Sequence, residues 1–445
     1  MDAVIDRPCQ AAGMTGSIRS PIAARLAWFI VPALVAARPA NAQLLGRYFP
    51  ANIPAYQDWG ISASTPQSGD DNSAQGILAG SFVISPNITE SLGYNSNPFA
   101  APVSRGTAES DTSGAVSINS NWARNAVNAA FTVERMQYLS FPAQSVTNWT
   151  ASAGSVIDYA DDEIDIGYSH IEGVTLPTDI GSFGLQQPVI DQVDDLRFSD
   201  TIGPGPLILV PALVGQIYTF NTVGGGQSMV GQDLFNRDEI SGSITAGYAF
   251  SGGHNIIVVV NDKQVGYTSG QLPQRPADYN DVSILAGIEY QQSALWAYRA
   301  LVGYEVAHST SSGAERGTIS APAAELDIIW KPTVWTTLTG KISQSIENEP
   351  VGASQALTLT QTGLTLDHSL RRDLSFEASL EYDHATLRTG GMNQASFGAG
   401  AQANWTISRN WVLSLRYEFT KANGGSGTAS QFDVHQIFLQ AKFQM

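Results

Sequence analysis

Six histidines, His170, His254, His308, His368, His384 and His435, are the side chains in this chain best suited to proton transfer or metal binding, and they are scattered. None falls in an H-E-x-x-H run or another metal-ligand spacing, and no G-x-S-x-G stretch offers an activated serine. His308, His368 and His384 stand near the ends of strand-like segments, two of them behind Asp367 and Asp383. A hydrolytic centre would need a serine gathered with such a pair at one height; surface histidines are the plainer reading. The glycine runs Gly224–Gly226 and Gly424–Gly427 lack the strand-to-helix setting of a phosphate loop and read as loops. The expectation is therefore a chain without catalytic residues, cofactor or metal, and not an enzyme.

The charged residues follow a different logic. Glu134, Glu163, Asp165, Glu289, Glu305, Glu325, Asp327, Glu377, Glu381 and Glu418, with Arg299, Lys341, Arg416 and Lys442, occupy the polar phase of segments that alternate apolar and polar. Placed on the inner wall of a water-filled passage, ten acids against four bases would favour cations and neutral solutes. The competing reading is that these charges pair across neighbouring strands and only keep the wall wet.

Elements of period two must position them. Ile284, Ala286, Ile288 and Tyr290 alternate with Gly287 and Glu289; Leu374, Phe376, Ala378, Leu380 and Tyr382 with Ser375, Glu377, Ser379 and Glu381; Leu413, Leu415, Tyr417 and Phe419 with Ser414, Arg416 and Glu418. Such segments run to about ten residues, enough for a tilted strand to cross a bilayer. Tight turns are expected at Ala123–Asn125, Ser251–His254, Gln292–Ala294, Lys331–Pro332, Leu370–Arg372 and Ser408–Asn410, with others near Tyr159–Asp162 and Gly203–Pro206. Eight short turns imply an all-β, antiparallel, up-and-down transmembrane β-barrel of about 18 strands, 16 being the alternative. Trp122, Trp296, Trp330, Trp335, Trp405 and Trp411 all lie close to a short turn, which makes that end one membrane girdle and the periplasmic side. The longer connections, including Asn95–Ser110, Gly173–Val189, Asn221–Gln232, Thr268–Pro276 and Lys421–Gln431, then face outside. Gln431–Met445 is oily on one face and is expected to close the barrel against Phe82–Tyr94. In that pairing Glu90 shares a face with Ile88 and Leu92, so either the register is shifted there or Glu90 sits near an interface.

Ahead of the strands, Arg19 and Arg25 precede the apolar run Leu26–Ala37, and Ala40-Asn41-Ala42 offers a small-residue cleavage site; residues 1–42 read as a signal peptide. Cleavage would remove Cys9, the single cysteine. Residues 43–80 read as a periplasmic lead-in, partly disordered, a small plug in the lumen being the rarer alternative, and 81–445 as the barrel. A net charge of −17 makes nucleic acid an unsuitable partner.

Ile77–Pro86 (ILAGSFVISP), Gly93–Ala100 (GYNSNPFA) and the blocks Trp122–Asn128, Arg371–Tyr382 and Arg409–Phe419 resemble the outer-membrane β-barrel porin family of alphaproteobacteria, whose members often accompany exopolysaccharide loci. The resemblance covers roughly Gly76 to the end of the sequence. It implies a channel in the outer membrane of a Gram-negative bacterium, with lipid, lipopolysaccharide and the barrel-assembly machinery as partners. It also implies export of polysaccharide with periplasmic export partners as the leading role. A general diffusion porin for small solutes and a binding or structural barrel with blocked lumen are the alternatives.

Overall fold

The computed structural model describes residues 48–50, 52–56, 74–160, 162–183, 187–203, 205–222, 232–270, 276–291, 293–310, 317–347, 357–387, 393–424 and 431–445. The chain divides into Met1–Ile30, which lies outside the described residues, and Val31–Met445, to which everything below refers. The expected signal peptide, Cys9 and the two glycine runs likewise fall wholly or largely outside the described residues.

Among the described residues, nineteen strands form one antiparallel sheet. The first nine are β1 (Ile77–Ala79), β2 (Phe82–Asn95), β3 (Thr107–Ser120), β4 (Ala126–Tyr138), β5 (Val146–Tyr159), β6 (Asp162–Thr175), β7 (Val189–Thr201), β8 (Leu207–Thr222) and β9 (Arg237–Ser251). The remainder are β10 (His254–Tyr267), β11 (Tyr279–Tyr290), β12 (Trp296–Ser309), β13 (Thr318–Thr333), β14 (Thr336–Glu347), β15 (Leu357–Arg371), β16 (Leu374–Leu387), β17 (Asn393–Ser408), β18 (Trp411–Gly424) and β19 (Gln431–Gln444). Each strand from β2 to β18 pairs with the next in sequence, and β19 returns to β2, so eighteen strands close into a barrel. The closing register runs from Gln436↔Asn95 to Gln444↔Asn87. The short β1 pairs with the start of β2, from Ala79↔Phe82 to Ile77↔Ile84. Pro86, which has no N–H to give a ladder, falls between the two pairings, and its carbonyl accepts the Met445 N–H at 3.1 Å.

Short turns alternate with longer connections around the whole ring, and the turn chemistry explains the tight ends. Gly252 and Gly253 take φ of 59° and 83° between β9 and β10, the left-handed pair a two-residue hairpin demands. Two expected turns move along the chain. The strand through Lys331 and Pro332 continues to Thr333, with a register shift after Trp330, so the turn falls at Val334–Trp335. The next falls at Arg372–Asp373 rather than Leu370–Arg372, because Arg371 still pairs with Leu374. Proline and charged residues at a rim tolerate an interrupted ladder, which is why they imitate a turn in sequence.

The two faces of the sheet differ as the period of two dictates. Exposed large side chains such as Leu92, Phe131, Leu196, Ile244, Ile284, Val302, Leu380, Leu415 and Leu439 mark the outer face. Glu90 shares that face with Ile88 and Leu92, so the register is unshifted there. Its carboxylate accepts hydrogen bonds from Ser110 Oγ at 2.9 Å and Thr112 Oγ1 at 2.6 Å. It stands eight residues along β2 from Phe82, about 20 Å up a tilted strand and so near the far edge of a ~25 Å apolar band.

Candidate functional site

All fourteen charged candidates fall on the strand face opposite the exposed apolar positions, as do many acids whose strands alternate poorly. The structure brings some of them together. Arg299, 5% exposed, holds Glu289 at 3.3 Å through Nη1 and Glu325 at 2.7 Å through Nε. Register extends that group into a cross-strand row, Glu289↔Arg299↔Asp327↔Lys341, with alternating sign across β11 to β14. Arg416 lies 3.7 Å from Glu418 on the same strand. Others meet residues outside the set: Glu305 accepts the Ile346 N–H at 2.7 Å, and Glu134 accepts from Asn148 Nδ2 at 3.2 Å. Glu377 is buried opposite Asp367 and Gln402, Glu381 lies between Gly363 and Gly398, and Lys442 is half-buried opposite Thr89. Glu163 is exposed and Asp165 half-buried near the short-turn end of β6.

Sequence reading missed a second set on the same face. Glu109, Asp111, Asp191, Asp195, Arg237, Glu239, Asp281 and Asp383 are all buried. Arg237 pairs with Glu239 at 2.5 Å, and Lys263 approaches Asp281 at 3.6 Å. Strands β3 and β7 hide their phase because both faces are polar: Asp191 and Asp195 face in while Gln192 and Asp194 face out. Counting in twos from the paired neighbour, rather than along each strand alone, would have found them.

Two segments occupy the interior. Residues 48–50 and 52–56, within the stretch read as a lead-in, lie against the inner face of β4 to β8. Gly154 and Gly167, which face each other across β5 and β6, make a notch for them. A Cβ on Gly154 would stand 2.7 Å from Ile53 Cγ2, and one on Gly167 2.4 Å from the Pro54 carbonyl oxygen. Tyr56 donates its O–H to Asp195 Oδ1 at 2.7 Å, and Tyr48 donates to the Val174 carbonyl at 3.2 Å. The Arg197 guanidinium, ion-paired with Asp195 at 2.9 Å, lies 4.7 Å from the Phe49 ring centre and 4.5 Å from that of Tyr56. Contacts of that kind stabilise by about 1–2 kcal/mol when desolvated. Burial, and then the Asp195 carboxylate, push the Tyr56 phenol well above its ordinary value, so it remains a donor at neutral pH.

The second segment is the β6–β7 connection. It reaches β15 to β19, the opposite wall of the ring. Ile180 is buried among Leu357, Leu359 and Ala385, Phe183 meets the Phe432 ring edge-on at 5.3 Å, and the Gly181 N–H donates to Gln394 Oε1 at 2.7 Å. A loop that would cost buried backbone polar groups is tied down by its own side chains: Asp179 Oδ2 accepts the Leu176 N–H at 2.9 Å, and Ser182 Oγ donates to the Leu176 carbonyl at 2.6 Å.

On the outer face the six expected girdle tryptophans are all exposed. Trp296 stacks on Trp330 at 5.3 Å, and Trp411 lies 5.1 Å from Phe443. All six histidines also occupy outer-face positions, and His254, His308, His368 and His384 stand within three residues of a strand end. Among the described residues, His170 Nδ1 and Asp194 Oδ1 lie 2.8 Å apart, and Tyr168 also donates to Asp194 at 2.6 Å. The residue opposite His170 on β5 is Ala151.

Among solved structures, the chain is similar to the Pseudomonas aeruginosa protein OccK2 (OpdF), at 13% identity over 83% of this chain and 100% of that one, with a TM-score of 0.44. It is similar to Acinetobacter baumannii OccAB3 at 10% identity over 81% and 99%, with a TM-score of 0.42. The FrpB iron transporter of Neisseria meningitidis is 8% identical over 83% of this chain and 82% of that one, with a TM-score of 0.48. No curated protein matches. One family pattern covers residues 71–445, almost the whole described barrel, and the chain belongs to that family, described as "Putative beta-barrel porin 2".

Proposed function

We propose that this porin spans the outer membrane of a Gram-negative cell after loss of residues 1–42, short turns and tryptophan girdle on the periplasmic side. It passes small hydrophilic solutes passively, with cations and neutral molecules preferred. The acid excess on the inner face of a closed eighteen-stranded barrel carries the reading, because fixed carboxylates in a narrow aqueous passage raise local cation concentration and repel anions. Export of a polysaccharide, which the family resemblance implies, would need residues 48–56 and the β6–β7 connection to leave the interior, so small solutes come first.

Planar-bilayer recording tests this. A reversal potential in a potassium chloride gradient should show potassium favoured over chloride. Chloride preference would overturn the selectivity, and absence of any conductance would leave only a blocked, structural barrel. Removing residues 48–56 should raise the single-channel conductance by about twofold or more, since conductance follows the narrowest open section. An unchanged value would mean that the segment does not restrict the passage. Unaltered polysaccharide secretion on deleting the gene would dispose of the export role.

A further inference from the structure

Between the β6–β7 connection and the wall formed by β2, β3, β4, β18 and β19 lies a cavity of about 80 Å³. That is room for roughly five to eight water-sized groups, the hydroxyls and ring atoms of one small sugar-like molecule. Arg416 lines it at 4% exposure. The guanidinium lies over the Phe438 ring at 4.8 Å, which supports its flat side and leaves its N–H edge to the cavity. Nε makes no hydrogen bond within the protein, and the nearest carboxylate oxygen, Glu418 Oε1 at 3.7 Å, makes none either. A buried donor and a buried acceptor thus stand side by side as an ion pair too long for a hydrogen bond, so each keeps hydrogen-bonding capacity toward the cavity.

The surrounding charge selects the partner's class. Glu109, Asp111, Asp179 and Glu418 against Arg416 make the lining net negative, which disfavours an anion in spite of the guanidinium. A cation would have to lie beside that guanidinium. Adjacent hydroxyl groups meet neither objection: one donates to Glu418 while its neighbour accepts from Arg416, and the amide of Gln436 in the same lining serves either sense. Resting on the proposed channel role and sharpening its substrate class, we infer that this cavity is a subsite for a neutral polyhydroxylated solute of about one sugar unit.

Galactose and galacturonate, nearly equal in shape and different in charge, are the probes. Galactose should block single-channel current transiently, and galacturonate should need at least about tenfold more for half-block. Arg416→Gln and the near-isosteric Glu418→Gln should each raise the half-blocking galactose concentration about tenfold or more, the usual effect of losing a charged hydrogen bond. An open channel that galactose does not block, a galacturonate block as strong as that of galactose, or a block untouched by both substitutions would overturn the subsite. Heat-modifiable gel mobility verifies that each variant is folded, and Glu418→Gln carries the test if Arg416→Gln does not fold. If no channel conducts, it is the channel reading that fails. Calorimetric titration of galactose into the folded barrel then decides the subsite: heat lost in Glu418→Gln supports it, and absence of heat overturns it.

Discussion

Replacing Gly93 by valine is expected to prevent the barrel from closing. Gly93 lies on the inner face of β2 at the seam, opposite Phe438. A Cβ there would stand 2.1 Å from the Ile437 carbonyl oxygen and 2.4 Å from the Phe438 ring. The first of these is a backbone carbonyl turned toward β2 from a strand pinned on its other edge by β18, so it cannot swing aside, and the cost exceeds about 3 kcal/mol. Loss of heat-modifiable mobility and of protease resistance in reconstituted vesicles would report it. Gly215→Val on β8, where an added Cβ meets nothing within 4 Å, should fold normally. A fully folded Gly93→Val would mean that β2 and β19 meet in another register.

Arg299→Met should destabilise the barrel by about 2–3 kcal/mol and sharpen its preference for cations. Removing one partner of a buried pair costs about 3–5 kcal/mol, reduced here because the Glu325 side chain is 35% exposed and water screens it. Denaturant midpoints in lipid vesicles measure the first effect and reversal potentials the second. Arg371→Met serves as the contrast. Its partner Asp373 is 3.5 Å away, but the two side chains are 66% and 41% exposed, so its loss should fall within about 0.5 kcal/mol. Equal losses in the two variants would mean that the inner row is no better shielded than the rim.

The contrast between these arginines shows what sequence could tell. Polar-phase alternation located Arg299 and Arg416 on the inner face, because strict period two survives any rotation or tilt of the strand, and the spacing of short turns supplied the strand count. It could not tell that Arg299 is gripped by two glutamates whereas Arg416 faces a cavity, since that depends on stagger between strands. Phe438 is the clearest case. An aromatic in the polar phase of β19, it looks like noise until Arg416 is found over its ring. Tyr48, Phe49, Ile53 and Tyr56 carry no period at all. Their place inside depends on glycines about a hundred residues later, a long-range complementarity that no local pattern encodes.

The seam has a kinetic meaning as well. Gln440 and Ser91 are 349 residues apart, whereas every other neighbouring pair of strands is a local hairpin. Joining ends so distant costs about 5 kcal/mol of loop-closure entropy if the chain between is loose, and far less once it is already zipped. The seam also offers nine register pairs against fourteen between β2 and β3. Local hairpins therefore form first and the β2–β19 contact last, so an arrested assembly would accumulate as an open, curved sheet with β2 and β19 as its two free edges.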